Sequence, residues 1–546
     1  MNGIARPFRL AALACVIAAR TVIAQAVPMP MGHEMTDTEP AAVLGTINFP
    51  TMANAASHKA FVRGVLLMHN FHYPEAAAEF QKAESLDPTD VMGYWGEAMT
   101  YTHPVWNQQD AAAAHRVLMK LAPTREARLA LAKNARERAW LESAEILYAP
   151  TGTKAQRDTA WSRALAKMHA NNPKDDEATT FYAVSLLGLN QGDREAVAYQ
   201  KAYELVLPVF RAHPHHPGAA HYLIHATDDP DHAALGLKAA EAYAGIAPSA
   251  GHAIHMTSHI FLALGKWDDV VSANRRSQAQ MPNGILSAHV VHWLHYGLIQ
   301  QGRYLEADKW LDSMAKQSHM PRFVRGSGDA AGLMAGANLA DTRRWNGVAS
   351  GVHVDISVFD WKNVVEGFGD VAAMEFGYAL GALNRGDTLA FAATALQMES
   401  RRAAVAANPL MASARGMSEV MEKTLKGYAL ETTGDSAKAL EYFRDAAAEE
   451  AALPMPFGPP MTIKPPRESA GELLLAMGKR AEARKEFEMA LSRTPRRTAA
   501  LVGLARSEWA LGNRAAARKI YKELVGIWHS ADTEFPELAE ARGRTK

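Results

Sequence analysis

Residues 471–495, GELLLAMGKRAEARKEFEMALSRTP, decide the fold. Gly478 follows an apolar helix, and Ala483, Phe487, Ala490 and Pro495 follow it at the spacing of a second helix with one small-residue face. Gly512, Ala517, Tyr521 and Leu524 repeat the first four of these positions 34 residues later. Tyr73, Ala76, Phe80, Ala83 and Pro88 do the same in HYPEAAAEFQKAESLDP. Between them Gly192, Gly265, Gly302, Gly386 and Gly434 each end one helical pattern and precede another. Small residues let two antiparallel helices approach closely, Gly permits the turn, and each hairpin covers its open face with the next one.

A 34-residue helix–turn–helix period with these residues is that of the tetratricopeptide repeat. The expected fold is all-α: a right-handed solenoid of helical hairpins over residues 57–546, with the first helix of each hairpin lining the concave groove. Two stretches depart from the pattern. Residues 318–371 are Gly-rich, which predicts less regular structure. Residues 454–466 (PMPFGPPMTIKPP) carry too many prolines for a helix, so they form either an inter-repeat loop or a lid over the groove.

The N-terminus reads as an export signal. Arg6 and Arg9 precede the apolar run Leu10–Ala19, and Ala24-Gln25-Ala26 ends it with a small-x-small cleavage pattern. The signal is then residues 1–26 and a linker spans 27–56. The single cysteine, Cys15, leaves with the signal, and a thiol-free mature chain suits a periplasmic or secreted location. The apolar run is too short to span a bilayer. With 58 basic residues against 58 acidic ones, nothing suggests nucleic-acid binding.

Twelve of the 22 histidines lie between His213 and His295. Most fall in HYLIH (His221, His225), HAIHMTSH (His252, His255, His259) and HVVHWLH (His289, His292, His295). Spacings of three and four put side chains on one helix face. Counting Gly265 as repeat position 15 places His252, His255 and His259 at positions 2, 5 and 9, which face the groove in such repeats. The same count puts His221 and His225 at 5 and 9 of the preceding unit, and His289, His292 and Tyr296 at 2, 5 and 9 of the next. His69 and His103, 34 apart, fall at position 13. Trp95 falls at 5, and Glu468 and Glu472 fall at 5 and 9 of a later unit.

Imidazole is the commonest transition-metal ligand, and a thiolate-free histidine set suits copper, zinc or iron. The candidate ligands are His221, His225, His252, His255, His259, His292 and His103. Asp228, Asp229, Glu468 and Glu472 are candidate carboxylate partners, and His69, Trp95, His289 and Tyr296 are candidate groove-lining residues. Met29, Met31, His33 and Met35 near the mature N-terminus are ligands copper favours, although such tails are commonly inert. The competing explanations are a histidine-lined groove for a peptide or small molecule, and histidines that serve packing alone. His213, His215, His216 and His232 sit in Pro- and Asp-rich turns and read as cap or loop residues. No zinc-protease HExxH, GxSxG elbow or phosphate-binding glycine loop is present.

The strings AMTYTHPVW, HPGAAHYLIHATDDPDHAALGLKAAEAYAGIAPSAGHAIHMTSHIFLALGKWDDVV and FGPPMTIKPPRESAGELLLAMGKRAEARKEFEMALSRTPRR together resemble a group of exported bacterial tetratricopeptide-repeat proteins. The resemblance spans nearly the whole mature chain. It implies an all-helical solenoid and keeps His103, His221, His225, His252, His255 and His259 as motif residues, but it carries no assigned reaction. The reading is an exported solenoid with a transition-metal site in its groove, serving oxidation or hydrolysis. Its alternative is a periplasmic scaffold that grips a peptide or protein partner without catalysis.

Overall fold

The computed structural model describes residues 43–189, 195–321, 323–361, 367–455 and 457–545. Residues 1–26, expected to be an export signal, the Met29/Met31/His33/Met35 tail and Gly192 lie outside the described residues. Within them the chain forms 25 α-helices, and the sole ladder pairs Thr102–His103 with Gln108–Gln109. The protein is an all-α solenoid in which consecutive helices pack as hairpins, for example Gly251–Ala263 on Trp267–Gln278 and Pro466–Ala476 on Arg480–Arg493.

The turn glycines close the first helix of each hairpin. Gly265 has φ 64°, its N–H donates to Leu262 O, and the N–H of Lys266 donates back to Phe261 O. That pairing is a Schellman cap, which needs the left-handed conformation at the glycine. Gly302, Gly386, Gly434, Gly478 and Gly512 adopt the same positive φ. In the first hairpin the place is taken by Phe71, at φ 58°, with the same two bonds, Phe71 N–H to Met68 O and His72 N–H to Leu67 O. A bulky L-residue there costs about 1–2 kcal/mol.

The repeat aromatics explain the small residues opposite them. Phe487 is wedged between Gly471 and Gly503, where an added Cβ would lie 2.7 and 2.2 Å from its ring. Phe80 sits in the same way between Gly64 and Gly96, at 2.7 and 2.3 Å.

Three expectations need correction. Residues 43–54 are not a free linker: Phe49 is 1% exposed and packs against Phe61 and Trp140 at 5.0 Å between centroids, and against Trp95 at 5.7 Å. Trp95 is therefore a core residue and does not line the groove, because this segment covers it. Part of the Gly-rich stretch is the 19-residue helix Val324–Thr342. Its glycines serve contact: a Cβ on Gly336 would stand 2.4 Å from Ala373 O, and one on Gly377 would stand 2.5 Å from the Cα of Gly336. Less regular structure flanks it among the described residues and includes, after it, the short 3-10 turns Val348–Gly351 and Ile356–Val358.

Both ends of the repeat array dock on its middle. Helix Ala55–His69 packs on helix Pro217–Ala226, and Tyr243 Oη donates to Asn70 Oδ1 at 2.9 Å. From the other end, Arg496 Nη1 donates to Gly265 O at 2.7 Å and Trp528 Nε1 to Gln300 O at 3.1 Å. Arg497 is the centre of this contact. It is buried and pairs with Glu468 (Nε to Oε1, 2.7 Å) and with Asp341, and it also donates to Tyr296 Oη at 3.2 Å. Burial alone would lower its pKa, but Asp341 and Glu468 hold it well above the ordinary arginine value.

Arg497→Ala leaves two buried carboxylates without their guanidinium, and a stability loss of about 3–5 kcal/mol is expected in urea unfolding. A loss under about 1 kcal/mol, the size of an exposed pair, would show that this contact does not hold the C-terminal repeats in place.

Candidate metal centre

Three neighbouring helices supply the histidines. Helix Pro217–Ala226 starts on a proline after His216, whose Nδ1 accepts from Ala219 N–H at 3.2 Å, and it carries His221 and His225 four residues apart. Helix Gly251–Ala263 carries His252, His255 and His259, and helix Ala288–Gln300 carries His289, His292 and His295. Six of these imidazoles form two triads. The ligand atoms of His221, His225 and His252 lie within 4.8 Å of one another, as do those of His255, His259 and His289.

Hydrogen bonds set the tautomers. His221 Nδ1–H donates to the backbone O of His69 at 2.7 Å, so its Nε2 carries a lone pair. That Nε2 stands 3.1 Å from His225 Nε2 and 3.2 Å from His252 Nε2. In the second triad His255 Nδ1–H donates to Asn274 Oδ1 at 2.7 Å, and His259 Nδ1–H donates to Asp228 Oδ2 at 2.6 Å. Asn274 is oriented by its own Nδ2, which donates to Val270 O at 2.8 Å, so oxygen and not nitrogen faces His255. With both rings neutral each Nε2 carries a lone pair, and the two atoms face each other at 3.2 Å. Two such acceptors repel unless a proton or a metal ion lies between them. Ligands about 2.0–2.1 Å from a tetrahedral ion stand about 3.3 Å apart, close to the spacing found here.

Burial favours the neutral form, the one that binds metal, at several of these imidazoles. It pushes His221 down to about 3, and it holds His252 and His255 well below the usual histidine range, helped by His221 and His289 respectively. His289 is also pushed to about 3 by its surroundings, yet its side chain remains exposed. Trp293 touches all three rings of this triad, at 5.1 Å from His255, 4.2 Å from His259 and 5.6 Å from His289. The Pro-rich segment lies on Trp293: a Cβ on Gly458 would be 2.3 Å from its Cζ2.

The remaining expected residues fall elsewhere. His292 joins neither triad; it is half-buried, next to His295 and His289. His103 stacks on Tyr73 at 4.0 Å and bonds Gln108 and Thr100, because the short ladder draws it out of the central cluster. His69 does not line the groove. It is buried, its Nε2–H donates to Glu177 Oε2 at 2.8 Å, and its Nδ1 accepts from Tyr222 Oη at 2.8 Å. Tyr296 is also buried, turned to Arg497. Of the four carboxylates, only Asp228 bonds a triad histidine in the contacts described. Asp229 accepts from His232 Nδ1 and from two backbone N–H groups of its own turn. Glu468 and Glu472 are taken by Arg497 and by Lys464 and Arg343, basic residues that other segments bring to them.

Three residues around the centre were not singled out as partners from sequence. Asn274 orients His255. Glu177 lies between His69 and His216, whose Nε2 is 3.3 Å from Oε1; burial pushes this carboxyl up, but the two histidines bring it down to about 2. Together with His69 these make a third compact group, His69, Glu177 and His216. Its atoms engage one another and Tyr222, and it supports the triads through the backbone of His69. A separate cavity of about 890 Å³, measured out to its mouth, is lined by Asp228, Leu262, Trp267, Met455 and Pro460 among others. None of the six triad histidines lines it.

No family model matches the chain, and no curated protein matches it. Among solved structures, the human IFIT1 dimer with m7Gppp-AAAA is similar over 88% of this chain and 91% of that one, at 14% identity and a TM-score of 0.33. Yeast Tom70 is similar over 89% and 95%, at 12% identity and a TM-score of 0.28. Naa15/Naa10 bound to HypK-THB is similar over 90% and 91%, at 11% identity and 0.24. Likeness of this degree says nothing about the site.

The metal-free chain is expected to lose stability as pH falls from about 6.5 toward 3, the interval between the unfolded and folded pKa of its buried histidines. The unfolded chain takes up protons there that His221 and His295, both pushed to about 3 by burial, refuse in the folded state. Near pH 5 each costs about 2 kcal/mol, and neither contributes above about pH 7. Urea midpoints measured across this interval check it. A flat profile would mean that these imidazoles are not kept neutral by the fold.

Proposed function

We propose that this protein is an exported metalloprotein that binds transition-metal ions, of copper, zinc or iron, in the groove of its helical solenoid. One observation carries the reading: His255 and His259, each with its Nδ1–H already spent on an acceptor, bring their Nε2 atoms within 3.2 Å of each other. In the neutral rings those are two lone pairs that repel, and a metal ion between them turns the repulsion into attraction. A bound ion of this kind supplies Lewis acidity, an activated water or a redox centre. Around it Asp228 and Asn274 fix the ring orientations, burial disfavours the protonated form of His255, and the exposed edge of His289 admits a small molecule. The residues named here suit an oxidoreductase or a hydrolase equally.

The export signal read at residues 1–26 supports a periplasmic or secreted location. Among the described residues no helix is long and apolar enough to cross a membrane. A peptide-gripping scaffold is the competing reading. Against it, the chain's own Pro-rich segment already lies on Trp293, next to His259.

The test is elemental analysis of the full mature chain, purified without a histidine tag. About one or two equivalents of copper, zinc or iron are expected. His255→Ala should lose metal while its helical circular dichroism persists, and Asp228→Asn should weaken retention by about 10–100-fold. A wild-type protein that takes up none of these ions on reconstitution would overturn the metal reading and return the groove to the scaffold reading.

A further inference from the structure

The two triads differ in access. The ligand atoms of each lie within 4.8 Å of one another and fall into two groups, although the rings come as close as 6.1 Å, His225 to His259, between them. No imidazole is shared. The first triad is sealed, with His221, His225 and His252 at 0%, 5% and 8% exposure. The second opens to the groove through His289.

What seals the first triad is Phe71. Its ring lies 4.2 Å from His221 and is stacked at 24° on both His225 and His252, at 5.8 and 5.4 Å. Trp106 packs against the outside of Phe71 at 5.3 Å and reaches His252 at 5.8 Å. Phe71 stands at the one place in its hairpin where Gly265, Gly302, Gly478 and Gly512 stand in theirs, in the left-handed conformation that favours glycine. Among the five non-glycine residues at positive φ in the described chain it is the only aromatic one. Strain kept in the backbone points toward function, and here its product is a ring laid against three ligand imidazoles.

We infer that the groove holds two metal ions of unequal access. The site of His221, His225 and His252 is closed by Phe71, and the site of His255, His259 and His289 is open to an exogenous oxygen- or nitrogen-donor ligand. This rests on the metal reading above and adds the number of ions and the division of labour between them. The closed ion exchanges ligands slowly; the open one is where a small molecule binds.

The probe is the metal alone. Wild-type protein loaded with zinc is mixed with excess EDTA, and released zinc is followed with a chromophoric indicator. Two phases of about one equivalent each are expected. His289→Ala should lose the fast phase and His252→Ala the slow one. Phe71→Gly, which relieves the backbone and removes the ring, should accelerate the slow phase by about tenfold or more and leave the fast phase in place. A general loss of stability would move both phases, so selectivity for one separates shielding from folding. Should Phe71→Gly not fold, Phe71→Leu keeps the apolar bulk without the planar cover and carries the same readout. Binding of a single equivalent, release in one phase, or a slow phase unmoved in the folded Phe71 variant would overturn this inference while leaving the metal reading intact. Failure to bind zinc, copper or iron at all would overturn the metal reading itself.

Discussion

A phenylalanine ring pressed between two glycines sets the geometry on which everything else depends. Phe80 between Gly64 and Gly96, and Phe487 between Gly471 and Gly503, fix how far one hairpin stands from the next and how each first helix is rotated about its axis. A Cβ in any of these gaps would overlap the ring, so the helix faces have little freedom of phase. In the middle of the chain other close contacts limit the helices: a Cβ on Gly236 would lie 2.2 Å from Thr227 Oγ1, and one on Gly297 would lie 3.0 Å from Val271. There the histidines of Gly251–Ala263 meet those of Pro217–Ala226 and Ala288–Gln300.

Phase is a property that a periodic sequence displays openly. Counting from turn glycines was enough to find the hairpins and to put His221, His225, His252, His255 and His259 on facing surfaces. It failed wherever the groove is not an open trough. Trp95, Glu468, Glu472 and Tyr296 occupy positions that would be groove-facing in an isolated array. Here other segments come to those positions: the 43–54 segment covers Trp95, and Lys464 and Arg497 meet the carboxylates and Tyr296. His69 fails for the same reason, since the first hairpin turns onto the histidine block and buries it against Glu177. Tyr296 meets Arg497 across 201 positions, Glu472 meets Arg343 across 129 and His69 meets Glu177 across 108, and no local pattern records such contacts; Lys464, four and eight residues from Glu468 and Glu472, is the local exception. Glu177 and Asn274 carry no signal at all; an isolated acid or amide on an amphipathic helix looks the same whether it orients a ligand or faces water.

The electrostatics of the centre follow from one choice, which is to bury imidazoles as neutral donors and keep carboxylates one bond away. Asp228, Asn274 and the His69 backbone accept the Nδ1 protons of His259, His255 and His221, which leaves the Nε2 atoms of these rings facing their neighbours. A carboxylate among the ligands themselves would lower the charge of a bound ion. Placing it behind the ring instead polarises the imidazole and fixes its plane.

Docking both ends of the array on its middle changes what kind of chain this is to fold and to evolve. An open solenoid grows by neighbour contacts, so its repeats can nucleate anywhere, and units can be gained or lost with little effect on distant ones. Arg497 reaches Asp341 across 156 positions and Tyr296 across 201, and Asn70 meets Tyr243 across 173. Such contacts form late because long loops must close first. They tie the first and last hairpins to a common centre, so inserting or deleting one 34-residue unit between them would displace every pairing at once. The repeat number is therefore frozen, and a modular architecture has become a fixed one.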